Sequence, residues 1–123
     1  MAFVGTECLN VAQFLGGQTS GTCTTESAQR AAISRAYFAA YGHAFHHEVE
    51  GNRYHPEKKA VDNHRGLRVY FAKERKEQKI ASELEDLRNW RNQCDYHKIF
   101  VGNLTQNTKD ALKKAEHIIG YLI

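Results

Sequence analysis

The chain has 123 residues, a single-domain length that can bury roughly 65% of its unfolded surface without metal or disulfide staples. It is 41% apolar and 25% charged, and no run approaches the ~18 apolar residues of a membrane span, so a membrane-spanning chain is excluded. The net charge of +3 is unevenly placed: residues 53–79 hold nine Lys/Arg against four acids, residues 1–52 are acidic, and residues 80–123 are neutral. A basic middle third suits an anionic partner such as nucleic acid, although a solvated helix face gives the same pattern. Nothing at the start reads as a signal peptide. Three cysteines, Cys8, Cys23 and Cys94, without any CxxC, read as small hydrophobes in a reducing compartment, so a cytoplasmic location is expected.

The apolar pattern has helical period in five places. The first covers about 6–15, with Cys8, Val11, Ala12 and Leu15 on one face and Thr6 as its cap. Gly16-Gly17-Gln18-Thr19-Ser20-Gly21 reads as a flexible loop, not a phosphate-binding one, because no Gly-Lys-Ser/Thr follows. The second helix starts at Thr24 or Thr25 and runs to about His47. It is apolar on most sides, as a central helix must be. Gly51-Asn52 breaks the chain, and Pro56 fits the first turn of a third helix running to about 75, with Ala60, His64, Leu67 and Phe71 on one face. The fourth, about 79–97, places Ile80, Leu84, Leu87, Arg91 and Cys94 in line. Gly102-Asn103 ends it, and the fifth starts near Thr105 or Asn107 and carries Ala111, Ala115, Ile118 and Leu122. No two-residue alternation of any length competes with this pattern, so the expected fold is all-α, an antiparallel up-and-down bundle of about five helices in one domain, 1–123.

Arg91 breaks the rule of the fourth stripe. A charge at the centre of an apolar face must be paired or must face a cleft. Asp95, four residues on, is the local partner that would make it structural. The neighbourhood also offers chemistry, since Asn92 follows and His97 lies six positions on. In an unbroken helix His97 points ~120° away from Arg91, so the two converge only if the helix ends near Tyr96 or a second chain supplies the partner. An Arg–His pair suits RNA cleavage without metal: histidine takes the proton from a 2′-hydroxyl, and arginine holds the phosphate with a forked donor set.

Three stretches in order carry a family resemblance. Ala32-Ile33-Ser34-Arg35-Ala36-Tyr37-Phe38-Ala39-Ala40-Tyr41 resembles the second-helix signature of HEPN domains. His64-Arg65-Gly66-Leu67 followed by Phe71 resembles their third helix. Leu87 to Tyr96, Leu-Arg-Asn-Trp-Arg-Asn-Gln-Cys-Asp-Tyr, resembles their "L-x-x-x-R-x-x-x-D-Y" helix. The resemblance implies a HEPN-like helical bundle that forms a homodimer and, in many members, a metal-independent ribonuclease built on an Arg-x4–6-His motif at the dimer axis. Arg91, Asn92 and His97 match that motif. Arg35, His64, Asp95 and Tyr96 fall where they could line the same cleft. The implied partners are RNA, a second copy and a nucleotidyltransferase-type antitoxin, with no cofactor. Active toxins often carry a tyrosine two residues after the histidine. Here Phe100 comes three after, so that tyrosine is not carried over. The alternative is a non-catalytic module binding a nucleotide, RNA or a partner protein.

His43 and His47 have the i, i+4 spacing that can hold zinc. Ala44, however, stands where the metalloprotease pattern needs a glutamate, and a solvated histidine-rich helix end (with His46) is the plainer reading. His64 on an apolar face reads first as a core histidine with a satisfied hydrogen bond. Arg35 reads first as structurally partnered, with a phosphate contact as the sharper alternative.

Overall fold

The computed structural model describes residues 3–18 and 24–123. Cys23 and residues 19–21 of the glycine-rich loop lie outside them. The described residues form five α-helices: α1 Gly5–Gly16, α2 Thr25–Glu50, α3 Asp62–Ala72, α4 Gln78–Tyr96 and α5 Leu104–Tyr121. A 3-10 turn, Arg75–Glu77, joins α3 to α4. The fold is an all-α bundle, and among the described residues no helix is long and apolar enough to cross a membrane.

α2 is the central helix. Ala28, Ala32, Ala36, Ala39, Ala40 and Ala44 are buried around it, and their small side chains let α1, α4 and α5 approach its backbone closely. Its start is capped by Thr24, whose hydroxyl accepts from Ser27 N at 3.1 Å. Against it lie Leu67 and Phe71 of α3, Ile80, Leu84 and Leu87 of α4, and Ala111, Ala115 and Ile118 of α5, all buried. Each such Leu or Ile contributes roughly 1.5–3 kcal/mol on burial.

Side-chain contacts fix the helix directions. Gly5 sits beside His43 and Gly16 beside Ala32, so α1 opposes α2. Arg30, near the start of α2, reaches the end of α4. Glu83 and Asp86 of α4 pair with His117 and Lys114 of α5, in reversed order. α3, by contrast, runs parallel to α2: His64 stacks on Tyr41, while Tyr70 meets Tyr54, which packs on Phe45 further along α2. The connection 51–61 therefore returns along the bundle before α3 begins.

That return corrects the start of the third helix. Pro56 and Ala60 lie in the connection, and Asn63 is buried in the first turn of α3. Its side-chain oxygen accepts from Glu57 N at 2.7 Å and from the Tyr54 hydroxyl at 3.1 Å, holding the connection against the helix as a folded loop. Gly66 leaves room for that hydroxyl, which a Cβ would strike.

α1 needs a second correction. Thr6 does not cap it; the helix begins one residue earlier, after Val4 and without a side-chain cap. Its core line is Gly5, Leu9 and Ala12, while Val11 and Phe14 are exposed. A Cβ at Gly5 would lie 2.7 Å from His43 Cβ, so glycine lets the helix end seat against α2 and turns the stripe away from Val11. α5 also starts early, at Leu104, because Asn103 Oδ1 accepts from Gln106 N at 2.9 Å and caps it. The preceding Gly102 has φ +120°, a conformation open to glycine.

Candidate functional site

Arg91 stands where α2 and α4 meet, one turn beyond buried Leu87. Its side chain is only 19% exposed. Its Nε lies 2.9 Å from Asp95 Oδ2, a contact of charge without an aligned hydrogen bond. Its Nη1 donates to Asn92 Oδ1 at 3.3 Å. The guanidinium lies 4.9 Å from the Phe38 ring centre, 5.5 Å from that of Tyr96 and 6.0 Å from that of Tyr37. Asp95 is itself fixed from α2, accepting from the Ser34 hydroxyl at 3.2 Å. Arg91 is thus held among rings and one carboxylate, with part of its donor fork uncommitted.

α4 ends at Tyr96, and His97 leaves it in an extended conformation, φ −101° and ψ 136°. The device that ends it there is Arg30. Its Nη1 donates to the carbonyls of Cys94 at 3.1 Å and His97 at 2.8 Å, and more weakly to Gln93. Its Nη2 donates to Lys98 O at 3.0 Å. A cation at the negative end of a helix, using up its orphan carbonyls, is favourable twice over. Gln93 Oε1 accepts from Val101 N at 2.9 Å and fixes the following turn. The backbone of His97 is therefore rigidly held while its side chain is exposed. Among the described residues no hydrogen bond or ion pair joins the His97 imidazole to Arg91. Within one chain, the motif's two ends are near in sequence but not in contact.

His64 sits one layer deeper, stacked on Tyr41 at 4.1 Å between centroids and hydrogen-bonded through Nδ1 to the Tyr37 hydroxyl. Burial pushes the Tyr37 phenol well up, and burial pushes Tyr41 up to about 12, so both stay protonated. Tyr37 therefore donates and His64 Nδ1 accepts, which puts the proton of the neutral ring on Nε2. Burial first, then Arg88, Arg91 and Arg68, hold the imidazole below its usual value, so it is neutral at pH 7.

Arg35, although inside an apolar stretch of sequence, is exposed on α2 and has no carboxylate partner among the described residues. Its guanidinium lies 5.9 Å from the Phe38 ring centre. Of the histidines at the end of α2, His46 is exposed as a solvated helix end predicts, while His43 and His47 are half-buried. His43 Nε2 meets Leu122 O at 2.5 Å, His47 Nε2 meets Ile123 O at 3.3 Å, and His46 lies against Phe3. They bind the end of α5 and the approach to α1. Among the described residues no group of three or more His, Cys, Asp or Glu is arranged to hold a metal ion. Burial raises the thiol of Cys94 to about 11 and raises that of Cys8, so neither is a nucleophile at neutral pH.

Sequence reasoning missed Arg30 and Arg88. Arg30 serves carbonyls more than sixty residues away, which no local spacing betrays. Arg88, three residues before Arg91, was within reach, because it repeats the guanidinium one turn earlier along α4.

Among the described residues these features define an all-α bundle of five helices with an arginine- and aromatic-rich face where α2, α3 and α4 meet. No protein-family model matches the chain, and no curated protein or solved structure matches it either.

Proposed function

We propose that this chain is a HEPN-type domain that cuts RNA without a metal ion, working as a homodimer whose axis passes close to the end of α4. A toxin role beside a nucleotidyltransferase-type antitoxin is the setting this chemistry fits. The observation that carries the reading is the end of α4: Arg91 held at the core's edge with free donor capacity, and His97 exposed just past the helix terminus. Tyr96, Ile99 and Val101 beside it are 70%, 74% and 75% exposed, apolar surface that a second copy would cover. Two copies brought together there would set each Arg91 against the partner's His97.

In that cleft one His97 takes the proton of a ribose 2′-hydroxyl. The 2′-oxygen attacks phosphorus, and the bond from phosphorus to the 5′-oxygen breaks. Water protonates that leaving oxygen, and His97 returns its proton to solvent. Arg91 stabilises the charge on the non-bridging oxygens, and Asn92 supplies a neutral donor beside it. The products are a 2′,3′-cyclic phosphate and a 5′-hydroxyl.

A second reading, a non-catalytic module binding a nucleotide or a protein, draws on the Arg91–Asp95 contact, which already occupies one edge of the guanidinium. The deciding experiment incubates purified protein with mixed RNAs in EDTA and analyses the new 3′ ends. Cyclic phosphate termini produced in EDTA, together with a dimer in light scattering, are the expected result. Cleavage that needs added divalent metal would refute the metal-free chemistry, and a folded protein that leaves every RNA intact would move the chain to the second reading.

A further inference from the structure

Arg35 is exposed on α2, one turn before half-buried Phe38. α1 reaches the same turn, since the Cys8 thiol donates to Arg35 O at 3.6 Å. α4 reaches it through the Ser34 hydroxyl, which donates to Asp95 Oδ2 at 3.2 Å. The Phe38 ring serves two cations. The Arg35 guanidinium carbon lies 5.9 Å from its centre and that of Arg91 lies 4.9 Å from it, so the two guanidinia are no more than about 11 Å apart. One carboxylate is engaged at this place: Asp95 Oδ2 is shared by Arg91 Nε and Ser34. Neither Glu7, beside Cys8 on α1, nor any other acid among the described residues forms an ion pair with Arg35. Two guanidinia therefore face one carboxylate, and the outer one is free.

A free arginine side chain loses rotamer entropy when it closes on a ligand, and a ring contact made beforehand reduces that loss. Arg35 and Arg91 stand on different helices, but the Ser34–Asp95 bond ties those helices at this turn, so the fold sets the spacing of the two forks. A planar fork matches two oxygens of a phosphate. Two forks at a set spacing match a strand, which carries a phosphate at every link and is held in register by such contacts. We infer that Arg35 binds the phosphate next to the one that Arg91 holds, on the same RNA strand, and so sets the strand's register across the end of α4. The inference rests on the cleavage reading for the identity of the strand. Arg35 is a binding residue and takes no part in breaking the bond.

The test uses the full chain and a labelled 2′-O-methyl oligouridine of about ten residues, which lacks the attacking hydroxyl and stays uncut. An unlabelled 2′-O-methyl dinucleotide, with one phosphate, and a trinucleotide, with two, compete against it in fluorescence anisotropy. Wild-type protein should take the trinucleotide about ten-fold more tightly, and Arg35→Gln should lose that advantage while the dinucleotide binds as before. Arg91→Gln should weaken both. In Arg35→Gln the salt dependence of binding the labelled strand should be shallower by about one unit. The melting temperature should stay at the wild-type value, because Arg35 is exposed and outside any ion pair. Lys76→Gln, exposed at the opposite end of α4, should leave the trinucleotide advantage intact. A trinucleotide advantage that persists in Arg35→Gln, an equal loss for both competitors, or no binding of the labelled strand by wild-type protein would overturn the site. Cleavage in EDTA is scored separately. A chain that shows this dependence on the second phosphate yet cuts nothing refutes the nuclease reading alone. One that cuts RNA, with the advantage unchanged by Arg35→Gln, refutes the Arg35 site alone.

Discussion

Arg30 and Arg91 are both largely buried where α2 meets α4, with side chains 16% and 19% exposed, yet they are held in opposite ways. Each has its Nε beside a carboxylate, Glu26 for Arg30 and Asp95 for Arg91, but Arg30 spends both terminal nitrogens on backbone carbonyls at the end of α4 and is locked there. Arg91 has a carboxylate, a weak amide contact and three aromatic rings, and its Nη2 has no protein partner among the described residues. A half-buried arginine is structural when its donors are consumed and available to a ligand when they are not. Burial alone does not tell the two apart.

Mutations should separate the two regions. The largest effect expected is on catalysis. His97→Ala removes ~10²–10⁴-fold of RNA cleavage in EDTA while leaving RNA affinity and melting temperature close to wild type, as for a proton-transfer group on the surface. If the variant cuts at the wild-type rate, His97 has no chemical role.

Next in size is Arg30→Ala. It leaves the carbonyls of Cys94, His97 and Lys98 without this donor and should cost about 2–3 kcal/mol, or roughly 10 °C in a thermal melt. Chemical denaturation of the variant is the check. An unchanged midpoint would mean that the α4 terminus is held by something other than this guanidinium.

Arg91→Ala should cost less stability, roughly 1–2 kcal/mol from the ion pair and ring contacts. It should also weaken RNA binding by about ten-fold, because a phosphate contact acts in ground and transition states alike. Arg91→Lys should restore part of the stability but little of the rate, since a point charge cannot reproduce the fork. Full rescue of the rate by lysine would place the phosphate elsewhere.

What the sequence disclosed follows from how local each determinant is. The α4 stripe, the Thr24 cap and the Arg91–Asp95 spacing depend on residues within one or two turns, and all are legible in the string of letters. The seat of α1 depends on Gly5, which counts as nothing in an apolar pattern but decides which face can approach His43. The start of α3 depends on Asn63 collecting donors from Tyr54 and Glu57. The role of Arg30 depends on carbonyls of another helix. Arg91 and His97 could be named from spacing alone. Whether they meet depends on a surface that a single chain leaves exposed.

The smallest effect is a pH dependence of stability. The folded chain holds His64 below the free imidazole value of 6.5, through burial and then Arg88, Arg91 and Arg68. As pH falls, the unfolded chain takes up the proton first. The His64 contribution is therefore fully present above about pH 6.5 and is lost as pH falls through the depressed folded value. His64→Gln should flatten that part of the stability profile in denaturant titrations. A slope unchanged in the variant would assign it to the other histidines.

The most direct test of the shared cleft is complementation between two inactive variants. Arg91→Ala and His97→Ala proteins, each inactive alone, are mixed, exchanged through mild denaturant and assayed on RNA in EDTA. If each working site takes Arg91 from one chain and His97 from the other, half of the dimers are mixed and each mixed dimer keeps one intact site. About a quarter of wild-type activity should then return. A mixture that stays as inactive as either variant, while wild-type protein cuts, would contradict a cleft built from two chains.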